Sequence, residues 1–135
     1  MSREDFERYE IIPGATAAFY AWVHLSKDRP WLEAFTVSSM LERRNDDSAI
    51  EGGGLSHRMG HKIAHDLRLP LDRLKNSTVH MAADMEHARM LERVAEQYAT
   101  TDEARNAMLR AARDTYVIDR AFRGALAEAL EDITE

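Results

Sequence analysis

Apolar residues recur along this chain at intervals of three and four, and nowhere do they alternate with polar ones as a half-buried strand would require. The pattern predicts an all-α chain. A first helix is expected over residues 13–26, with Ala17, Tyr20, Ala21, His24 and Leu25 on one stripe. After the break KDRP, a second carries WLEAFTVSSMLERR. The run NDDSAIEGGG is the clearest loop, because three consecutive glycines cannot sustain a helix. A third helix follows in LSHRMGHKIAHDLRL. A fourth is predicted to begin at Pro70 and reach Tyr98, with a bend near Asn76–Ser77. Thr100 and Glu103 have capping-box spacing and start the last helix, which runs to about Leu130. The three prolines, at 13, 30 and 70, each stand where a helix can begin. The expected architecture is an antiparallel bundle of about five helices in a single domain spanning residues 1–135.

Composition narrows the chemistry. Cysteine is absent, which excludes disulfides, zinc–thiolate sites, iron–sulfur clusters and cysteine nucleophiles. Any metal must be held by His, Asp and Glu, a donor set that suits iron, manganese or zinc. A formal charge of −6 argues against a nucleic-acid surface. No run approaches the roughly 18 apolar residues of a membrane span. The opening MSREDFERYE is too polar for a secretory signal, so a cytoplasmic location is expected. The triple glycine lacks the lysine–serine pair of a phosphate loop.

The stretch TVHMAADMEHARML stands out. At about 100° per residue, His80, Asp84 and His87 fall within about 60° of one another on one helix face. Ala83, Met90, Leu91 and Val94 share that face, whereas Glu86, Arg89, Glu92, Arg93 and Glu96 occupy the opposite one. The trio is therefore expected to point into the bundle. A buried carboxylate beside two imidazoles requires compensation, either a divalent cation bound by all three or mutual hydrogen bonding. On the second helix, Glu42 shares a stripe with Trp31, Phe35 and Ser38. It is an acidic side chain aimed inward at a helix C-terminus, where the dipole disfavours negative charge. Carboxylate–histidine metal sites in bundles are built this way. The competing reading pairs Glu42 with Arg43, Arg44 or another surface arginine. His57, His61 and His65, spaced four apart, have no carboxylate on their stripe and are expected on a solvated face. His24 and the aromatics Phe19, Tyr20, Trp22, Trp31 and Phe35 are expected in or beside the core.

Taken with its flanks, LPLDRLKNSTVHMAADMEHARML resembles the conserved helix of the haem-oxygenase-like helical superfamily. The resemblance is to its non-haem iron branch, which includes pyrroloquinoline quinone synthase relatives, the chlamydial death-domain-associating proteins and diiron oxidases. The family pattern of His, three residues, Asp, two residues, His is met by His80, Asp84 and His87. PWLEAFTVSSMLER resembles the helix that supplies a metal-ligating glutamate, here Glu42. SREDFERYEIIPGATAAFYAW resembles the segment leading into the central helix.

The resemblance implies a haem-oxygenase-like bundle binding iron, as a diiron site, with manganese as an alternative. The metal ligands would be Glu42, His80, Asp84 and His87. The partners implied are a small-molecule substrate and dioxygen. Complete members carry an additional N-terminal helix pair with a further Glu and His, which this sequence lacks. A homo-oligomer, or a partner chain supplying those helices, is therefore expected. RRNDDSAIEGGG after Glu42 has no histidine, and no lysine stands around residues 117–119, so quinone synthase activity is not expected. The thiaminase branch would need a cysteine. The alternative to a metal-dependent oxidase or oxygenase is a non-catalytic helical subunit that dimerises through the face left open.

Overall fold

Prolines set the first two helix starts, as their fixed φ and missing N–H allow. In the computed structural model, which describes residues 12–134, helix α1 spans Pro13–Asp28 and α2 spans Trp31–Arg43, directly after Pro30. Helix α3 covers Leu55–Leu67, α4 covers Lys75–Tyr98 and α5 covers Asp102–Thr134. The protein is an all-α helical bundle, with no strand among the described residues. Residues 2–11 of the segment that resembles the family's lead-in lie outside the described residues. No described helix is long and apolar enough to cross a membrane.

Two boundaries differ from the sequence reading. Pro70 opens a 3₁₀ turn, Leu71–Arg73, and α4 begins only at Lys75, so the break falls at Leu74 and not at Asn76–Ser77. The last helix is capped one residue later than expected. The N–H of Ala104 donates to Thr101 Oγ1 at 3.2 Å, where Thr100 and Glu103 had the capping spacing.

Helix α2 packs against α1, α4 and α5. Helix α5 also packs along α1, and α3 packs on α4. Leu25, Val37 and Ala111 form the centre, with Trp22 and Ile118 against them. The buried face of α1 runs through Ala18 and Leu25, not through Tyr20 and His24. Gly14 fixes this rotation: a Cβ there would stand 2.7 Å from the Ala125 Cβ on α5. Small residues let the two helices close, and Phe19 and Tyr20 turn outward to solvent. His24 is likewise exposed and pairs with Asp28 at 2.7 Å. Trp31 is 59% exposed and stacks edge-on against Tyr98.

Helix α3 ends on Arg68 in the left-handed conformation, φ 52° and ψ 43°. Leu69 N–H donates to Ala64 O at 2.9 Å and Arg68 N–H to His65 O at 3.2 Å, the paired bonds of a Schellman ending. A side chain in that conformation costs about 1–2 kcal/mol, part of which glycine returns as chain entropy. Arg68→Gly is therefore expected to stabilise the fold by about 0.5–1 kcal/mol in urea unfolding.

Candidate metal centre

Glu42 stands in the last turn of α2, and its main-chain oxygen accepts the Asn45 N–H at 2.9 Å. The packing of α2 on α4 sets its side chain against His80, Asp84 and His87. The ion pair from Arg43 to Glu92, 2.9 Å, ties the same two helices together farther along α4. Arg44 turns the other way and pairs with Asp119 on α5. Both arginines adjacent to Glu42 in sequence thus hold other partners.

Three of the four side chains converge, and His87 stands beside Glu42 and Asp84 outside that mutual group. One donor atom each from Glu42, His80 and Asp84 lie within 4.8 Å of one another. His80 Nδ1 is 3.1 and 3.2 Å from the two Asp84 oxygens. His87 Nδ1 is 3.6 Å from Glu42 Oε2 and 3.8 Å from Asp84 Oδ1. Ligands at about 2.1 Å from one ion stand at most about 4.2 Å apart, so small side-chain rotations would close the trio around a cation. The same short contacts serve as hydrogen bonds when an imidazole carries its proton. Two protonated imidazoles would also neutralise the two carboxylates.

The orientation differs from the expectation in one respect. Only Asp84 faces fully inward, its side chain 1% exposed, while His80 and His87 are 46% and 50% exposed. The buried line on α4 is Asp84, Ala88 and Leu91, a face centred about 50° away from the two histidines at about 100° per residue. Glu42 is also at the rim, 39% exposed, because α2 buries Glu33, Thr36, Val37 and Ser39 and leaves Trp31 and Ser38 outside. The centre is thus an open-sided cluster with one carboxylate at its base. Water or a small molecule can reach the imidazoles without any movement of the backbone.

Among the described residues no lysine or arginine reaches Asp84 or Glu42. Burial raises the Glu42 carboxyl above its ordinary value of 4.5, and a hydrogen bond to the Asp84 carboxylate adds to the rise. The repulsion from Asp84 acts in the same direction, and His87 opposes it. The sign for stability follows from linkage. With its folded value raised, the metal-free protein gains stability from Glu42 below about pH 4.5 and loses it as the pH rises through the folded value. Glu42→Gln should then make the metal-free protein more stable at pH 7, with the difference vanishing below about pH 4.5. Solvent screening keeps the gain small. Thermal unfolding of both proteins in chelator across pH 4–8 checks this, and a loss of stability at pH 7 would contradict it.

A carboxylate also reaches the other histidine group. Asp47, from the loop before α3, lies 3.1 Å from His57 Nδ1, and the His57 and His61 rings stand 4.5 Å apart. The sequence signal for this contact was absent, because Asp47 comes from outside the helical stripe. His65 is solvent-exposed, as expected. Compared with known proteins, the chain matches no family model, no curated protein and no solved structure.

Proposed function

We propose that Glu42, His80, Asp84 and His87 bind a redox-active divalent metal, iron first and manganese second. The chain would work as a metal-dependent oxidase or oxygenase on a small molecule, or as the C-terminal portion of such an enzyme. The observation that carries this reading is the buried Asp84 carboxylate, set against a second carboxylate and two imidazoles, with no lysine or arginine reaching it among the described residues. In that setting a divalent ion relieves carboxylate repulsion and replaces lost solvation. Bound iron would supply electron transfer to dioxygen, which no side chain of this protein can do alone. Asp84 would anchor the ion from the core. His80 and His87, at the solvent edge, would orient it and leave the outer side open to substrate.

Full-length protein loaded anaerobically with Fe(II) or Mn(II), then dialysed, is expected to retain stoichiometric metal. Retention should fall at acid pH as the imidazoles and carboxylates take up protons. Protein that retains no metal at neutral pH contradicts the proposal.

A second reading is favoured by a different observation. Phe19 and Tyr20 on α1 and Leu109, Tyr116 and Val117 on α5 are all more than half exposed. A non-catalytic helical subunit would cover them with a second copy or a partner chain. Light scattering after size exclusion is expected to give a dimer or larger on this reading, and a monomer at all concentrations would contradict it.

A further inference from the structure

On the α5 side of α2, away from the contacts of Glu42, a cavity of about 310 Å³ opens where the loop, α3 and α5 meet. Four arginines line it, Arg44, Arg58, Arg120 and Arg123, against the single carboxylate of Asp119. Four guanidiniums less one carboxylate leave a local charge of +3, in a chain whose formal charge is −6. Asp119 is already occupied: it accepts from Arg44 Nη1 and, at 2.8 Å, from Arg123 Nε. Arg58 and Arg120 have no acidic partner among the described residues. The Arg44 Nε–H is buried without an acceptor. Arginines from α3 and α5 thus converge on one space with unused donors, although like charges at that spacing repel.

A neighbouring cavity of about 320 Å³ shares Arg44, Ile50, Tyr116 and Asp119, and continues over Met40 and Leu41. The combined groove is cationic at one end and apolar at the other. We propose that it binds a small organic phosphate, with the phosphoryl oxygens on Arg58 and Arg120 and the organic part against Tyr116 and Ile50. Guanidinium forks match phosphoryl oxygens in geometry, and a dianion offsets more of the local charge than a carboxylate does. The site is separate from Glu42 and its partners, so it stands whether or not the metal proposal does.

Phenyl phosphate is the probe, titrated calorimetrically into full-length protein in chelator at fixed ionic strength, with benzoate as the carboxylate control. One site per chain is expected, with a Kd below about 1 mM, and at least about tenfold weaker binding of benzoate. Because Arg58 and Arg120 are exposed, the double variant R58A/R120A should fold normally by circular dichroism and bind at least about tenfold more weakly. Arg73→Ala, on the 3₁₀ turn, should bind as the parent does. Tyr116→Ala should weaken phenyl phosphate and leave inorganic phosphate unchanged. No saturable binding up to about 10 mM, equal affinity for benzoate, or binding untouched in folded R58A/R120A would overturn the proposal.

Discussion

Asp84→Asn should lower the affinity for Fe(II) and Mn(II) by at least about 100-fold, since even residues behind a metal's direct ligands cost 10–100-fold when changed. Asparagine keeps the volume of a side chain that is 1% exposed, so the loss will not reflect a cavity. The stability of the metal-free variant separates two accounts of the cluster. If His80 and His87 are protonated and pair with the carboxylates, removing the Asp84 charge breaks half-exposed ion pairs to a buried carboxylate and destabilises the fold. If the cluster is a cation site with surplus negative charge, the variant is relieved of repulsion between Asp84 and Glu42, and metal-free stability holds or rises. Metal titration together with urea unfolding in chelator reads both effects. Lost affinity with unchanged or higher stability is the expected pair.

The second large effect belongs to the loop behind Glu42. Gly54→Ala should destabilise the protein by about 2–3 kcal/mol, through overpacking that cannot be relieved by side-chain rotation. The glycine has an ordinary φ of −64°, so backbone conformation is not at issue. A Cβ would overlap the backbone carbon and oxygen of Asn45. That segment is held from several directions. Leu55 N–H donates to Arg44 O at 3.0 Å, Gly54 N–H to Asp47 Oδ1 at 2.7 Å, and Ser56 N–H to Asn45 Oδ1 at 3.1 Å. Gly52 is the control: its φ is 81° with open space around it, so Gly52→Ala should cost only the left-handed penalty of about 1–2 kcal/mol. In thermal unfolding Gly54→Ala should lose roughly 6–12 °C at this chain length. A loss no larger than that of Gly52→Ala would show that the loop relaxes without cost.

The helices were legible because apolar spacing marks their extent, Pro13 and Pro30 mark the starts of α1 and α2, and the triple glycine marks the long loop. The start of α4 was not, since Pro70 fits either a helix or a 3₁₀ turn and only Leu74 decides between them. The structure brings Glu42, His80 and Asp84 together with His87 at their edge, yet of the inward-facing trio the wheel predicted only Asp84 is buried. A stripe of residues gives a direction relative to its neighbours on one helix, whereas burial depends on where the neighbouring helices lie. On α1 and α2 small and polar residues share the inward face with Leu25 and Val37: Gly14 and Ala18 on one, Thr36 and Ser39 on the other. Hydrophobicity alone therefore selected the outward aromatics. Asp47 reaches His57 from the loop just before α3 and the arginine groove joins elements distant in sequence, so helical periodicity carries no signal for either.

The most direct measurement is anomalous scattering from a crystal of the full chain soaked in Mn(II). A single strong peak is expected about 2.1 Å from carboxylate oxygens of both Glu42 and Asp84, with His80 or His87 completing the coordination. A well-ordered site without such a peak, its imidazoles hydrogen-bonded to the two carboxylates, would contradict a metal centre here.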